Sequence, residues 1–178
     1  MKFGWLFAAG LLGGVAAVAS AEVTAVAGNG FQIRNVVTIE ASPERTYATL
    51  VRPERWWSSR HTWSGDAHNL SLELRPGGCW CERWRGGFAQ HLQLVYAEPN
   101  RELGMWGALG PLRRDGFAGG LVITLAAEGG HTILTQIYTV GGYSRQDLPA
   151  YAAGVDQVWS IQLRRLKAVV EGRPPGEE

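Results

Sequence analysis

The stretch FQIRNVVTIEASPERTYATL, residues 31–50, decides the fold together with VDQVWSIQLRRLKAVV at residues 155–170. In the first stretch, alternating apolar residues predict a strand, and Ser42-Pro43 predicts a helix start because serine caps helices and proline is favoured in the first turn. In the second, apolar residues recur every three or four positions from Leu148 to Val170. This period predicts a long amphipathic helix that begins after Asp147.

Between these two helices the chain consists of short apolar runs separated by turn residues. Leu70, Leu72 and Leu74 alternate with polar residues, and paired glycines such as Gly86-Gly87 mark tight turns. We count about seven strands, with two short helices after the first. The order predicts an α+β fold in which an antiparallel sheet wraps around the C-terminal helix and leaves a cavity between them.

Residues 1–21 have the pattern of a cleaved signal peptide. Lys2 precedes an apolar run at residues 3–18, and the small residues Ala19, Ser20 and Ala21 favour cleavage before Glu22. The run is shorter than the ~20 residues a membrane anchor needs, so we expect no stable membrane insertion after cleavage. The sequence therefore predicts a periplasmic or secreted protein with a flexible leader at 22–30, a domain at 31–171 and a disordered tail at 172–178.

The amino-acid composition limits the kinds of partner and cofactor that we expect. The 178 residues are 46% hydrophobic and 19% charged, which suits one domain with a sizeable core. The 17 Lys and Arg residues and 16 Asp and Glu residues are interspersed, which argues against nucleic acid as a partner. The sequence shows neither a Gly-x-Ser-x-Gly nucleophile motif nor a phosphate-binding loop, and we expect no cofactor.

Cys79 and Cys81 are the two cysteines. Two ligands are too few for zinc, so we expect no metal site. In an extended strand, residues two apart lie roughly 6.5 to 7 Å from one another, at the edge of disulfide geometry. We therefore expect them to be small residues on one strand face, with a strained bridge as the remaining alternative.

Several stretches carry a family resemblance: VTIEASPERTY at 37–47, Trp56-Trp57, LGPLR at 109–113, TILTQIYTVGGY at 132–143, VDQVW at 155–159 and LRRLK at 163–167. Together they resemble the START-like (SRPBCC, helix-grip) superfamily, in its polyketide-cyclase and Hsp90-activator-like branches. The resemblance implies a β-α-α-β-α order and an internal cavity for an apolar or aromatic ligand. It implies no shared catalytic motif, and the export signal departs from the cytosolic chaperone-activator role.

Aromatic residues are the candidate ligand contacts, because binding pockets are mainly apolar and aromatic. The alternative is that these rings simply fill the core. The candidates are Trp56, Trp57, Trp63, Trp84, Trp106, Tyr138 and Trp159.

Acid–base candidates are few. We consider His61, Asp66 and His91 first, with His68, Glu82 and Tyr138 behind them. A His-Asp pair in the loop at 61–68 could act as base and orienting group, although a polar surface loop is the commoner explanation. His91 alternates with Leu92 and Leu94, so it is expected on the opposite sheet face.

The arginines after Pro111 are a further candidate. Arg113 and Arg114 form a small basic spot that could meet a ligand carboxylate or be solvated.

Three hypotheses of function follow. The first is an exported carrier or sensor for a hydrophobic or aromatic small molecule. The second is a cyclase- or dehydratase-type enzyme that uses the same cavity. The third is a cell-envelope protein-interaction module with exposed tryptophans and an unknown protein partner.

Overall fold

A computed structural model describes residues 20–143, 145 and 147–176. Residues 1–19 of the expected signal peptide lie outside the described residues. The described part contains an eight-stranded antiparallel sheet and two α-helices, so the expected α+β helix-grip fold is confirmed, with one strand more than expected. The strands are β1 (Ser20–Ala27), β2 (Gly30–Ile39), β3 (Leu70–Leu72), β4 (Cys79–Trp84), β5 (Gly87–Glu98), β6 (Glu102–Gly107), β7 (Phe117–Glu128) and β8 (His131–Gly142).

The sheet order is β1-β2-β8-β7-β6-β5-β4-β3. Strands β3 to β8 follow one another as a meander, whereas β2 pairs with the last strand, β8. The core lies between one face of this sheet and the C-terminal helix, and it contains Ile33, Leu121, Leu134 and Leu163, all nearly inaccessible to solvent. Because the apolar residues of each strand alternate, one face is buried and the other faces solvent.

The first strand corrects the expectation of a flexible leader at residues 22–30. β1 pairs antiparallel with β2, and the register runs from Ser20 opposite Val36 to Ala27 opposite Gly30. Main-chain hydrogen bonds to an otherwise unpaired strand edge are enough to order this segment, although most side chains at 22–29 are exposed. Cleavage before Glu22 would leave most of β1 in the sheet.

The two α-helices have the expected starts. α1 (Pro43–Leu50) begins with Ser42, whose Oγ accepts a hydrogen bond from the Arg45 backbone N–H. α2 (Leu148–Val170) has the bounds that the apolar period predicts. The second short helix of the prediction is a 3-10 turn, Pro53–Arg55. None of the helices described is long and apolar enough to span a membrane.

The described part of the tail packs back on α2, which differs from the expectation of disorder. The Arg173 backbone N–H donates to the Ala168 carbonyl, and Arg165 donates to the Gly176 carbonyl at 2.6 Å. Residues 172–176 are therefore hydrogen-bonded to the last turns of the helix.

A β-bulge in β5 changes the direction of His91. Trp80 pairs with Leu92 and Cys81 pairs with Gln90, so His91 is an extra residue without a partner on β4. A bulge of this kind places two consecutive side chains on one face. His91 and Leu92 are both buried, so the expectation that His91 lies opposite Leu92 and Leu94 is wrong.

The cysteines also differ from the expectation. Cys79 and Cys81 form a disulfide, and their Cα atoms are 5.2 Å apart. Beside the bulge, β4 is less extended than a regular strand, which brings the two Cα atoms within the usual disulfide range. The bridge flanks Trp80, the residue between the two cysteines.

Candidate ligand-binding cavity

A cavity of about 460 Å³ lies between the N-terminal half of α2 and the sheet. Three strands form one wall, and the loop at 57–63 and the 3-10 turn Gly110–Arg114 form its rim. Its lining residues are mainly apolar: Trp57, Arg60, His61, Thr62, Trp63, Leu70, Trp80, His91, Leu109, Gly110, Pro111, Leu112, Ala150, Tyr151, Gly154, Val155, Val158 and Trp159. A volume of this size falls in the range of small-molecule sites.

Tryptophan rings form the base of the cavity. Trp57 packs edge-to-face on Trp80 with ring centres 5.3 Å apart and on Trp159 at 5.5 Å. Trp56 packs behind Trp57 and Trp80, at 5.5 and 6.1 Å. Each such pair contributes about 0.5–1.5 kcal/mol beyond area burial. The cluster therefore gives the cavity a fixed aromatic wall.

Two of these indole groups lack a hydrogen-bond partner. Trp56 Nε1 donates to the Leu50 carbonyl and Trp57 Nε1 to the His61 carbonyl. By contrast, the buried Nε1 atoms of Trp80 and Trp159 have no acceptor among the described residues. A buried N–H without an acceptor costs about 1–3 kcal/mol. Both rings line the cavity, but the two Nε1 atoms themselves are covered by protein, so the apolar part of each ring forms the cavity surface.

A histidine–carboxylate pair lies in the sheet wall. His91 Nε2 is 3.1 Å from Glu82 Oε2, and the Glu82 side chain is inaccessible to solvent. Glu82 also accepts the backbone N–H groups of Trp63 and Ser64. Burial alone raises the pKa of Glu82, but the hydrogen bonds from Ser64, Trp63 and His91 outweigh it and hold that pKa below 4.5. Glu82 is therefore an ionised carboxylate at neutral pH.

The same contact determines the tautomer of His91. An ionised carboxylate can only accept, so His91 Nε2 carries the proton and Nδ1 has a free lone pair. Burial is the largest influence on the pKa of His91 and lowers it below 6.5; Glu82 opposes this and Arg113 adds to it. No hydrogen-bond partner of Nδ1 occurs in the described part of the chain. The neutral imidazole is therefore a hydrogen-bond acceptor in the cavity wall.

His61 and Asp66 have different hydrogen-bond partners. Gln162 accepts the Ser58 backbone N–H through Oε1, so its Nε2 donates to His61 Nδ1 at 2.7 Å. Asp66 instead bonds His68 Nδ1 at 2.8 Å, and both of those side chains are exposed. A His–Asp pair therefore forms in the loop at 61–68, but it joins His68 to Asp66 on the exposed surface, which agrees with the explanation as a polar surface loop. Asp66 also caps the 3-10 turn Ala67–Asn69.

Arginines surround the cavity mouth. Arg60 lines the cavity, while Arg113 and Arg114 stack on Trp63 at 4.9 and 5.1 Å from its ring centre. No carboxylate forms an ion pair with these three arginines within the described residues. The cation–π contacts hold the guanidinium groups near the opening.

The other aromatic candidates lie away from the lining. Trp56 is fully buried behind it, Trp84 packs on Gly87 at the β4–β5 turn, and Trp106 is 53% exposed on the outer sheet face over Gly120. These positions correct the expectation that Trp84 and Trp106 line the cavity. Trp84 shares the sheet face of Trp80 but lies at the end of β4, over the turn, whereas alternation along β6 directs Trp106 to the outer face. Trp57, Trp63 and Trp159 do line it.

Tyr138 supports the rim without lining the cavity. Its hydroxyl donates to the Gly107 carbonyl at 3.0 Å and accepts the Leu109 backbone N–H at 3.2 Å. Burial raises its pKa to about 12, against the smaller effect of the Leu109 hydrogen bond. Tyr138 therefore stays protonated and holds the turn that leads to Leu109.

Sequence reasoning missed Trp80 as a cavity residue and Glu82 as the partner of His91. The signal was available in part, because Trp80 and Glu82 are two residues apart in one strand and so share a face. The bulge that brings His91 to that face left no sequence signal. Among the described residues, no group of three or more His, Cys, Asp or Glu side chains could hold a metal ion.

Comparisons with known proteins support the fold. No family model and no curated protein matches the chain. Among solved structures, the Aha1 dimer protein from Colwellia psychrerythraea is 18% identical, with a TM-score of 0.56 over 79% of this chain and 96% of that one. CalU16 from Micromonospora echinospora is 19% identical, with a TM-score of 0.55 over 88% and 85%. DynU16, from the dynemicin biosynthetic locus, is 17% identical, with a TM-score of 0.57 over 82% and 49%. At these identities the likeness shows a shared fold.

Proposed function

We propose that this chain is an exported carrier or sensor that holds a hydrophobic or aromatic small molecule in the cavity. The observation that carries the proposal is the cavity itself, which has a volume of about 460 Å³ and includes the rings of Trp57, Trp80 and Trp159 in its lining. Apolar burial supplies roughly 25 cal/mol per Å², so a flat ligand of moderate size can bind without any covalent chemistry.

The polar groups of the cavity support a ligand with two different ends. His91, which bonds Glu82 through Nε2, offers the Nδ1 lone pair as an acceptor in the wall, and Arg60 offers a positive charge at the mouth. A ligand with a hydrogen-bond donor beside His91 and an anionic group beside Arg60 complements both. The specificity would come from these few polar groups, since apolar walls discriminate weakly.

Export remains part of this proposal. The apolar run at residues 3–18 and the small residues before Glu22 support it. A disulfide between Cys79 and Cys81 is compatible with an oxidising compartment, where such bonds persist. N-terminal sequencing of the protein from an exporting host tests it: a mature chain that begins at Glu22 is expected, and an intact Met1 in all fractions would contradict export.

A second candidate is a cyclase- or dehydratase-type enzyme. One observation favours it, which is the His91–Glu82 hydrogen bond of 3.1 Å in the cavity wall. DynU16, a structural neighbour, comes from a biosynthetic locus. An interaction module would instead expose its tryptophan cluster and fill its interior, whereas Trp57, Trp80 and Trp159 are buried around a cavity.

A cavity-filling variant tests the binding proposal. Gly154 lines the cavity, and a Cβ built there meets no atom within 4 Å. Gly154→Phe should therefore fill the cavity without a backbone clash, and it should not weaken α2 because glycine is a poor helix former. Ala153→Phe, one residue earlier and exposed outside the lining, is the matched control.

The measurement is a fluorescence titration with N-phenyl-1-naphthylamine, a neutral aromatic probe. We expect saturable binding to the wild type and to Ala153→Phe, and at least about a tenfold weaker affinity for Gly154→Phe. Equal affinities for all three proteins would overturn the cavity as the binding site. Native mass spectrometry of the purified protein adds the mass of any ligand that copurifies.

A further inference from the structure

We propose that His91 and Glu82 form a base–carboxylate pair that removes a proton from a carbon atom of the bound ligand, next to a carbonyl group. The inference rests on the proposed ligand cavity and assigns it a reaction. His91 is the catalytic base in this scheme, and Glu82 is a positioning residue because it acts through His91. The substrate class is an enolisable carbonyl compound with an aromatic or apolar body.

The direction of His91 is the first support. As the extra residue of the β5 bulge, it faces the cavity although its neighbour Leu92 is also buried. Bulges are frequent beside functional sites because they redirect one side chain. A regular strand would have carried His91 to the solvent face.

The protonation state is the second support. Glu82 is held by the backbone N–H groups of Trp63 and Ser64 as well as by His91, so its orientation is fixed from both sides. Its carboxylate retains the proton on His91 Nε2, which leaves the lone pair of Nδ1 available to accept a proton. The same logic places a carboxylate behind the histidine of hydrolytic triads.

A positive charge in the same cavity is the third support. Removal of the ligand proton leaves an electron pair that moves into the carbonyl, and the oxygen becomes an enolate. Arg60 lines the cavity, and its guanidinium group can donate hydrogen bonds to that oxygen and stabilise its charge. Where the enolate is conjugated with a neighbouring C=C bond, His91 then returns the proton to the far (γ) carbon of that system. A C–H bond breaks at the α-carbon and another forms at the γ-carbon, so the net reaction is a double-bond isomerisation that needs no co-reactant.

A probe reaction can test the base without knowledge of the natural ligand. In 5-nitrobenzisoxazole, a base removes the ring C–H proton, the electron pair forms a nitrile, and the N–O bond breaks to release a coloured cyanophenolate. The proton on His91 then passes to solvent. The probe is aromatic and smaller than the cavity, and the developing phenolate needs a hydrogen-bond donor.

We expect the wild-type protein to catalyse this elimination faster than buffer does, with a rate that saturates as the probe concentration rises. In His91→Ala the rate should be at least about tenfold lower. His68→Ala is the matched control, because His68 is exposed and outside the cavity. Its rate should equal that of the wild type. Binding of N-phenyl-1-naphthylamine, measured in parallel, shows that each variant retains the cavity.

The tautomer of His91 distinguishes a positioning role of Glu82 from a merely structural one, because loss of a structural contact alone would not change it. In Glu82→Gln the amide NH₂ can donate to His91 Nε2, which transfers the imidazole proton to Nδ1 and removes the base from the cavity. We expect ¹⁵N NMR of the ring to report this change of tautomer together with a loss of rate. An unchanged tautomer with a reduced rate would contradict the positioning role.

The pH profile provides a second test if Glu82→Gln does not fold. Glu82 from β4 and Arg113 from the rim act on His91 directly, and the other charged or titratable residues that line the same cavity are Arg60, His61 and Tyr151. The pKa of His91 lies below 6.5, so the wild-type rate should persist to mildly acidic pH and fall as His91 is protonated. His91→Ala should lack this step.

The two proposals fail separately. If the probe fluorophore binds and is excluded by Gly154→Phe, but wild type and His91→Ala give the same elimination rate, the proton-transfer site is overturned and the carrier function stands. If the fluorophore does not bind at all, the cavity proposal fails first.

Discussion

The guanidinium carbon of Arg113 lies 4.9 Å from the centre of the Trp63 ring, at the mouth of the cavity. Arg114 stacks on the same ring at 5.1 Å, and Arg60 lines the opening. Three cations without a paired carboxylate among the described residues should make the mouth attract anions.

Anionic probes should therefore bind better than neutral ones. 1-Anilinonaphthalene-8-sulfonate differs from N-phenyl-1-naphthylamine by one sulfonate, so the ratio of their affinities isolates the charge. Arg113→Gln and Arg60→Gln should each lower the affinity for the sulfonate probe by about two- to fivefold and leave the affinity for the neutral probe unchanged. Arg34→Gln, which replaces an exposed side chain of β2, is the control. A ratio that does not change with the rim variants or with added salt would contradict this role.

The Cys79–Cys81 bridge should contribute modestly to stability. The loop it closes has a sequence separation of 2, and the chain-entropy relation for so small a loop gives about 1–2 kcal/mol. Replacing both cysteines by serine should lower the free energy of unfolding by that amount in urea denaturation. Intact mass spectrometry before and after reduction checks the bridge itself: an oxidised protein is two hydrogen atoms lighter, and a protein that alkylates fully without reductant would show that the bridge is absent.

Glu171 should make stability depend on acidity. Its carboxylate accepts hydrogen bonds from Lys167, Arg173 and the Glu40 backbone N–H, and these outweigh burial and lower its pKa from 4.5 to about 2. Because the folded pKa is depressed, the stabilisation is complete above about pH 4.5 and is lost as the pH falls toward 2. Glu171→Gln should therefore destabilise the protein at pH 7, on the order of 1–3 kcal/mol, and much less at pH 3. Denaturation at both pH values measures this; an equal loss at both would mean that the charge contributes nothing.

Much of the fold could be predicted because its signals are local. The apolar period gave α2 its bounds, and Ser42-Pro43 gave the start of α1. The aromatic candidates were harder, since only Trp57, Trp63 and Trp159 of the seven line the cavity. A tryptophan is attractive to a core and to a ligand alike, and only packing separates the two.

By itself, the sequence determined the classes of element, their order and the stock of aromatic and basic side chains, because periodicity, capping and turn chemistry act within a few residues. The tertiary structure decided that His91 faces inward, that it meets Glu82 nine positions away, and that Trp80 and Trp159 close one cavity. The extra residue of a bulge reverses which sheet face each later side chain of the strand points to. The position of the bulge depends on hydrogen bonds to the neighbouring strand, which the local sequence does not show. Residues distant in the chain become one site only when the sheet and α2 close around them.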